Sequence, residues 1–441
     1  MPVTPPETQP PATPRYILRG HASPIQALHF CARNSRLISA DADGWIVVWD
    51  VVSKRPRAVW KGHDASVLEV KGFDRESAGL EIFTHGRDHK LRLWKLMPAD
   101  EESLLDKTLP VDQKERTTSA QPWLVHSLLV NALNFCAFSL CFAAPASLGS
   151  DSGSSSGESD SNPKTSPETY IAVPNALNSG AIDIFHLPSE KRVSTIAADS
   201  AVQTGMVMAV EIFVVPTRRE ELYVVSGYED GHVMVHARHP LSATGDTSWQ
   251  WEKLYATRPH SQPVLSLGVL GSPEEGYSYF TSSADALIVK HPVPLLGMEL
   301  VKSGDDSPLQ VLNTKHAGQQ GLRVRSDRKI FATAGWDARV RVYSCKTMKE
   351  LAVLKWHKEG CYAVAFAEVL SSNEAEDSHY VSTHENNTSD STSAAVVKSQ
   401  AAAPVRASLK AIQNQRRQKA QETHWLASGS KDGKIALWEI Y

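Results

Sequence analysis

The sequence has few cysteines, and none of them stand in a pattern typical of zinc sites or disulfide frameworks. Its 441 residues include five cysteines, which are Cys31, Cys136, Cys141, Cys345 and Cys361. The number is odd, the positions are scattered, and no pair has CxxC spacing. We therefore expect a reducing compartment and no structural metal.

The sequence also lacks a large net charge and a secretory signal at its N-terminus. The formal charge is −3, so there is no overall electrostatic reason to expect nucleic-acid or anionic-membrane binding. The N-terminal sequence MPVTPPETQPPATPRY is rich in proline and lacks the apolar core of a secretory signal. We expect residues 1–14 to form a disordered tail.

One long apolar run, WLVHSLLVNALNFCAFSLCFAAPA at residues 123–146, has the length of a membrane span. His126, Asn131 and Asn134 interrupt it with polar groups. The repeat pattern that follows assigns this run to β-strands instead.

A fixed spacing recurs along the chain: Ser or Thr, then Asp four residues later, then Trp six residues beyond. The full copies are Ser39/Asp43/Trp49, Thr84/Asp88/Trp94 and Ser428/Asp432/Trp438. Copies with a replaced Trp are Ser226/Asp230/His236, Thr281/Asp285/His291, Thr333/Asp337/Tyr343 and the degenerate Asn175/Ser179/Phe185. Together they predict seven repeated units.

A histidine precedes many of these units, with apolar residues following at offsets of four, seven and nine. These histidines are His21, His126, His260 and His357, and His63 matches at the first two offsets but has Gly72 at the ninth. The match at His126, followed by Val130, Leu133 and Phe135, places the first strand of the third unit there. The preceding PWLV (residues 122–125) would then close the second unit.

The last position of the spacing recurs every 45 to 55 residues, apart from two intervals of 91 and 95 residues. Four-stranded propeller blades repeat about every 40–45 residues. The two long intervals contain segments rich in Ser, Asp and Glu, at about 147–168 and 371–424, which we expect to be mobile inserts.

The motifs RGH, KGH, VVWD and ALWE at these positions resemble those of WD40 repeats. The resemblance implies an all-β, seven-bladed propeller in which His, Ser/Thr, Asp and Trp of one blade form a hydrogen-bonded tetrad. We expect complete tetrads in blades 1, 2 and 7 and partial networks elsewhere. The tetrad residues are His21, Ser39, Asp43, Trp49, His63, Thr84, Asp88, Trp94, His357, Ser428, Asp432 and Trp438.

The two ends of the repeat array predict how the ring closes. The last unit reaches only its third strand, at IALWE, whereas RYIL (residues 15–18) precedes the first unit. We expect this N-terminal strand to complete blade 7, because closure removes an exposed sheet edge. Residues 15–441 would then form one propeller domain.

No catalytic constellation is visible in the sequence. GSSSG at 153–157 matches a nucleophile-elbow motif but lies in a Ser/Gly-rich insert. His232, His236 and His239 offer metal ligands, although His236 stands at the Trp position of its unit. We expect no enzymatic activity, cofactor, metal or small-molecule substrate.

Partner binding is the function that a propeller surface best supports. Residues just before each turn Asp should reach the face on which the first strands begin, and Arg87, Trp336 and Lys431 are the candidates there. Arg323 and Arg325 belong to an unusually basic sixth unit, either a dock for an acidic partner segment or a solvated face. A basic segment after Pro404 is interpreted as a helix, either solvated or partner-binding.

Several longer stretches carry a closer resemblance. TPRYILRGHASPIQALHF, GRDHKLRLWKL, GQQGLRVRSDRKIFATAGWDARVRVYS and WLASGSKDGKIALW are similar to the fungal ASTRA-associated protein 1 family, which is related to guanine-nucleotide-binding-protein beta-like proteins. The resemblance implies a nuclear, and also cytoplasmic, non-catalytic scaffold of the ASTRA complex. Its implied roles are in chromatin remodelling and in co-chaperone-assisted maturation of phosphatidylinositol-3-kinase-related kinases, without direct nucleic-acid or membrane contact.

Two other classes of propeller remain open at this stage. A G-protein-beta-like signalling subunit would begin with a helix that coils around a gamma partner, and this chain has a short proline-rich segment instead. A ubiquitin-ligase adaptor has no such distinguishing segment, so only the proteins it binds would tell it apart from an ASTRA subunit.

Overall fold

The computed structural model describes residues 12–75, 79–103, 105–111, 120–131, 135–143, 168–216, 221–239, 249–297, 307–370 and 409–440. The expected tail therefore lies outside the described residues except for residues 12–14. The expected insert at 147–168 lies outside them except for its last residue, and the insert at 371–424 does so up to residue 408.

The described strands form seven four-stranded antiparallel sheets, which are the blades of a seven-bladed β-propeller. Blade 7 contains the first strand of the chain, β1 (Tyr16–Leu18). Blade 1 consists of β2 (Ile25–Cys31), β3 (Arg36–Asp41), β4 (Trp45–Asp50) and β5 (Arg55–Lys61). Blade 2 consists of β6 (Val67–Asp74), β7 (Leu80–Gly86), β8 (Lys90–Leu96) and β9 (Trp123–Leu129), with a short helix α1 (Pro98–Ser103) before β9.

The next four blades follow in chain order. Blade 3 consists of β10 (Ser139–Phe142), β11 (Thr169–Pro174), β12 (Ile182–Leu187) and β13 (Lys191–Ile196). Blade 4 consists of β14 (Val207–Val215), β15 (Glu221–Tyr228), β16 (Val233–Arg238) and β17 (Trp251–Thr257). Blade 5 consists of β18 (Val264–Ser272), β19 (Gly276–Ser283), β20 (Leu287–Pro292) and β21 (Gln310–Asn313). Blade 6 consists of β22 (Gln319–Val324), β23 (Ile330–Gly335), β24 (Val340–Ser344) and β25 (Glu350–Leu354).

Blade 7 combines both ends of the described chain. It consists of β26 (Cys361–Phe366), β27 (Trp425–Ser430), β28 (Ile435–Glu439) and β1, and a helix, α2 (Leu409–Glu422), precedes β27. β1 pairs antiparallel with β28, with Tyr16 opposite Leu437 and Leu18 opposite Ile435. The predicted closure of the ring by the N-terminal strand is therefore what the structure shows.

The position of a strand within its blade determines its hydrophobic pattern. The third strand of blade 1, WIVVWD, is buried along its whole length because neighbouring blades cover both faces of the sheet. The outer strand of blade 2, WLVHSLL, is mostly exposed. First strands line the central channel, so each blade runs from the channel to the outer wall.

The turns between second and third strands also join neighbouring blades. Gly44 has φ +88°, and a Cβ there would lie 2.0 Å from the carbonyl oxygen of His63 in blade 2. Gly433 in blade 7 approaches the carbonyl of His21 in blade 1 in the same way, at 2.6 Å. Glycine is needed at these turns because a side chain would both be strained and push two blades apart.

The predicted start of the third unit at His126 is wrong. His126 lies in the outer strand of blade 2, where its ring contacts Glu190, and the first strand of blade 3 begins only at Ser139. Of the apolar residues that match the offsets after His126, Val130 and Phe135 lie in the connection between the two blades, and Leu133 lies outside the described residues. Among the described residues, no helix has the length and apolarity to cross a membrane.

Candidate partner-binding face

We call the two faces of the propeller the upper face and the lower face. The upper face carries the turns between second and third strands and the connections from one blade to the next. The lower face carries the turns between first and second strands and between third and fourth strands. The hydrogen-bonded tetrads stiffen the upper face.

Blade 2 has a complete tetrad. His63 lies 2.8 Å from Asp88 through Nδ1 and 2.8 Å from Thr84 Oγ1 through Nε2. The indole of Trp94 donates to the same Thr84 hydroxyl at 2.9 Å. Burial by itself raises the pKa of Asp88, but hydrogen bonds and charge from His63 and its neighbours outweigh burial and lower it to about 2. The carboxylate therefore stays ionised and holds the turn.

Blade 1 differs from the prediction in its acidic member. His21 contacts Ser39 Oγ at 2.7 Å and Asp41 Oδ2 at 2.8 Å, and Trp49 donates to Ser39 at 2.8 Å. Asp41 also accepts the backbone N–H groups of Asp43 and Trp45. The assignment of Asp43 to this tetrad is wrong: its carboxylate accepts from Ser23 at the rim of the face.

In blade 7, three of the four tetrad residues are connected by hydrogen bonds. Ser428 Oγ lies 2.8 Å from His357 Nε2 and accepts from Trp438 at 2.9 Å. Among the described residues, His357 Nδ1 has no hydrogen-bond partner, because Asp432 accepts from the backbone and ammonium of Lys434 instead. The prediction that Asp432 completes the chain is corrected accordingly.

Blade 5 carries a complete network that the spacing did not predict. His260 bonds Thr281 and Asp285, and His291 stands where Trp would be. Thr281 and the Tyr255 hydroxyl contact the two ring nitrogens of His291, each at 3.1 Å. The expectation of a partial network in this blade is wrong, since a second imidazole supplies the missing hydrogen-bonding group.

Several buried histidines make the fold sensitive to acid. Burial lowers the pKa of His85 and His291 to about 3 and that of His236 and His357 to about 4, below the ordinary 6.5. The unfolded chain therefore binds more protons than the folded one as the pH falls below 6.5, and stability is lost in that direction.

We expect the free energy of unfolding to be several kcal/mol lower at pH 5 than at pH 7, because each such histidine contributes as much as about 2 kcal/mol. Urea denaturation at the two pH values measures this difference. The His85→Phe variant should show a smaller difference than the unmodified protein, and equal unfolding free energies at pH 5 and pH 7 would contradict the assignment.

The mouth of the channel on the upper face is lined by one residue from each of six blades. In these blades the first strand shifts register against the second at a single residue, which points into the channel. These residues are Gln26, Leu68, Met208, Leu265, Gln320 and Tyr362. Four of the six are apolar or aromatic, so the mouth offers contact area to a partner.

Trp336 lies beside this mouth on blade 6 and is 48% exposed. Its indole donates to Gln320 Oε1 at 2.7 Å, and its backbone N–H donates to the Gly318 carbonyl at 3.0 Å. One side of the ring covers Gly318, where a Cβ would lie 2.2 Å from ring atoms. The ring is therefore held in one orientation with its other side open, an arrangement typical of an interface anchor.

Arg87 and Lys431 lie on the same face. The Arg87 guanidinium stacks 4.4 Å from the ring centre of Phe135, and Phe135 is 62% exposed. Lys431 is exposed on blade 7, and its backbone N–H is bonded to the Gly360 carbonyl. The three predicted residues therefore share a face, although they belong to blades 2, 6 and 7.

Arg323 and Arg325 are not part of this face, and their role as docking residues stays a prediction. Arg325 is 6% exposed and forms a bidentate ion pair with Asp327 at 2.9 and 2.7 Å. Arg323 points into the central channel and pairs with Glu69 of blade 2. Blade 6 is basic in sequence, but both of these arginines already pair with carboxylates of the same chain.

The channel below the mouth is a cavity of about 540 Å³. Besides the Arg323–Glu69 pair, it contains Lys71 and Glu211. Burial lowers the pKa of Lys71 and raises that of Glu211. The two basic side chains, Arg323 and Lys71, thus face two acidic ones, Glu69 and Glu211, within the channel. This polar lining lies beneath the largely apolar mouth.

The three histidines considered as metal ligands have separate environments. His232 bonds Asp230 at 2.6 Å, His239 contacts Glu252 at 2.9 Å, and His236 is buried at the Trp position of blade 4. Within the described ranges, no group of three or more His, Cys, Asp or Glu side chains is arranged to hold a metal ion.

Comparison with known proteins identifies the family. The family model described as ASTRA-associated protein 1 matches residues 14–438. The chain belongs to the ASTRA-associated protein 1 family. It is 56% identical to the family member of Aspergillus niger over 446 aligned residues, which cover 98% of each chain.

Other ASTRA-associated protein 1 sequences match over most of their length. The chain is 54% identical to that of Penicillium rubens, with 99% of both chains covered. It is 34% identical to that of Schizosaccharomyces pombe, over 80% of this chain and 93% of the relative. The resemblance drawn from the sequence motifs is thus confirmed.

Proposed function

We propose that this protein is a non-catalytic scaffold subunit of the ASTRA complex. Its relatives are named for association with that complex, and a propeller with an orderly, partly apolar upper face is suited to binding other proteins. The proposal includes a nuclear location, with a cytoplasmic pool. It also includes roles in chromatin remodelling and in co-chaperone-assisted maturation of phosphatidylinositol-3-kinase-related kinases.

The observation that carries the proposal is the geometry around Trp336. An indole held by one hydrogen bond to Gln320 and by packing on Gly318 loses little conformational freedom on binding, and its open side faces solvent beside the channel mouth. Arg87, stacked on Phe135, adds a second rigid anchor across the face. Such anchors account for most of the binding energy in protein interfaces.

Replacing Trp336 with Ala should weaken recovery of ASTRA subunits by at least about tenfold. Truncating an interface anchor commonly costs about 2 kcal/mol of binding free energy. The measurement is quantitative co-purification from cells that express the variant as the sole copy. Trp123→Ala is the matched control, because Trp123 is 73% exposed but lies on the outer strand of blade 2.

The two variants should melt at the same temperature as the unmodified protein, since both rings are exposed. Undiminished recovery with Trp336→Ala would show that the upper face beside blade 6 is not the contact surface. Equal loss with Trp123→Ala would mean that the effect does not arise at this face.

A further inference from the structure

The lower face of blades 6, 7 and 1 forms one continuous surface. The Val369 N–H of blade 7 donates to the Ser326 hydroxyl of blade 6 at 2.8 Å. On the other side, the Asn34 amide of blade 1 donates to the carbonyls of Glu368 and Gln421 at 2.8 and 2.9 Å. These bonds join the turns of three blades to helix α2.

Helix α2 is anchored at its C-terminal end and exposed along the rest. Ala420 is buried in the core shared by blades 7 and 1, and the Trp425 indole donates to its carbonyl at 2.9 Å. Residues 411–419 are all exposed. The exposed part of the helix is almost entirely polar, so packing against the propeller stabilises it little. Its side chains are therefore accessible to a partner protein.

Exposed cations follow this surface from blade 6 to blade 1. We name the set the basic arc: Arg328, Lys329, Lys346, Lys349, Arg416, Arg417, Lys419 and Arg55. Within the described part of the chain, none of them forms an ion pair.

Two carboxylates beside the arc are paired with arginines that do not belong to it. Asp327 is held by Arg325, and Asp50 lies 2.9 Å from Arg57. Asp327 and Asp50 therefore form no ion pair with the cations of the arc, which make a local excess of positive charge although the whole protein has a net charge of −3. The positive charge is a local feature of this face.

We propose that the basic arc binds an acidic segment of a partner protein, at a surface separate from the upper face. Two exposed apolar side chains lie among the cations: Ile412 on α2 and Leu351 beside Lys349, 36% and 41% exposed. A peptide with alternating carboxylates and apolar side chains satisfies both kinds of contact. The exposed carboxylates of Glu368 and Glu422 interrupt the arc and would repel a continuous phosphate backbone.

The test uses the purified full chain and a fluorescein-labelled peptide of about 20 residues, mostly Glu with a Leu at every fourth position. Fluorescence anisotropy should show binding at about 50 mM salt that weakens toward about 300 mM, because the contact is electrostatic. Arg416→Glu/Arg417→Glu should lower the affinity at least about tenfold. Lys346→Glu/Lys349→Glu on blade 6 tests the arc independently of the helix.

The matched control is Lys61→Glu/Lys191→Glu, which makes the same change in charge at exposed positions of blades 1 and 3 away from the arc. It should alter the affinity by less than about twofold. Absence of peptide binding to the unmodified chain, or unchanged binding to both arc variants, would overturn the proposal. So would a DNA duplex of about 20 base pairs that binds the arc more tightly than the peptide does.

Discussion

Removing residues 1–19 should lower the melting temperature by more than about 10 °C, because a loss of several kcal/mol shifts the midpoint by a few degrees for each kcal/mol. The deletion removes β1 and leaves β28 as the unpaired outer edge of blade 7. It also removes Leu18, which is 4% exposed within the core of blades 7 and 1. Loss of a buried leucine side chain alone costs about 2–5 kcal/mol.

Deleting residues 1–13 is the matched control, since it leaves β1 and Arg15 in place. Arg15 pairs with Glu439 at 2.8 Å, and its backbone N–H donates to Leu437. This shorter deletion should leave the melting temperature nearly unchanged in differential scanning fluorimetry. Equal melting temperatures for the two truncations would contradict closure by the N-terminal strand.

The Asp41→Ala variant should lose about 3–5 kcal/mol of unfolding free energy, since breaking a buried, charged hydrogen-bond network leaves its partners unpaired. Asp41 is fully buried, and its loss would strand His21 and two backbone N–H groups. Chemical denaturation monitored by tryptophan fluorescence measures the change.

Asp43→Ala provides the comparison within the same turn. Asp43 is half-buried and contacts Ser23 at the rim, so its removal should cost about 1 kcal/mol or less. If Asp43→Ala were as destabilising as Asp41→Ala, the assignment of Asp41 to the tetrad of blade 1 would be wrong.

The fold could be predicted from the sequence because each blade repeats the same local interactions. Thr84, Asp88 and Trp94 keep their spacing because one network joins them across the turn: His63 contacts Thr84 and Asp88, and Trp94 donates to Thr84. Closure could be predicted from the unpaired third strand at one end and the short strand at the other.

The errors arose where spacing alone cannot distinguish neighbouring choices. The turn of blade 1 contains Asp41 and Asp43, and the spacing selects Asp43 although the ring of His21 faces Asp41. His126 matched the offsets of a first strand while lying in an outer one. In both cases the decision depends on tertiary structure: on which carboxylate of the turn the His21 ring reaches, and on which strand of a blade contains His126.

The candidate site was predictable only in part. Arg87, Trp336 and Lys431 each lie directly before the Asp of a turn between second and third strands. They therefore lie on the upper face, as the repeat geometry requires. Arg323 and Arg325 differ because their carboxylate partners come from a distant blade and from a local turn. The pairing of Arg323 with Glu69 is a tertiary contact, whereas that of Arg325 with Asp327 is local, and counting the charges along the sequence reveals neither.

The most direct test of the scaffold proposal is mass spectrometry of proteins that co-purify with a tagged copy, expressed at its native level, from nuclear extract. The proposal predicts stoichiometric recovery of ASTRA subunits and of co-chaperones that serve the kinase-related members. Recovery of a gamma-like small subunit or of ubiquitin-ligase components, without ASTRA subunits, would contradict it and leave only the propeller fold.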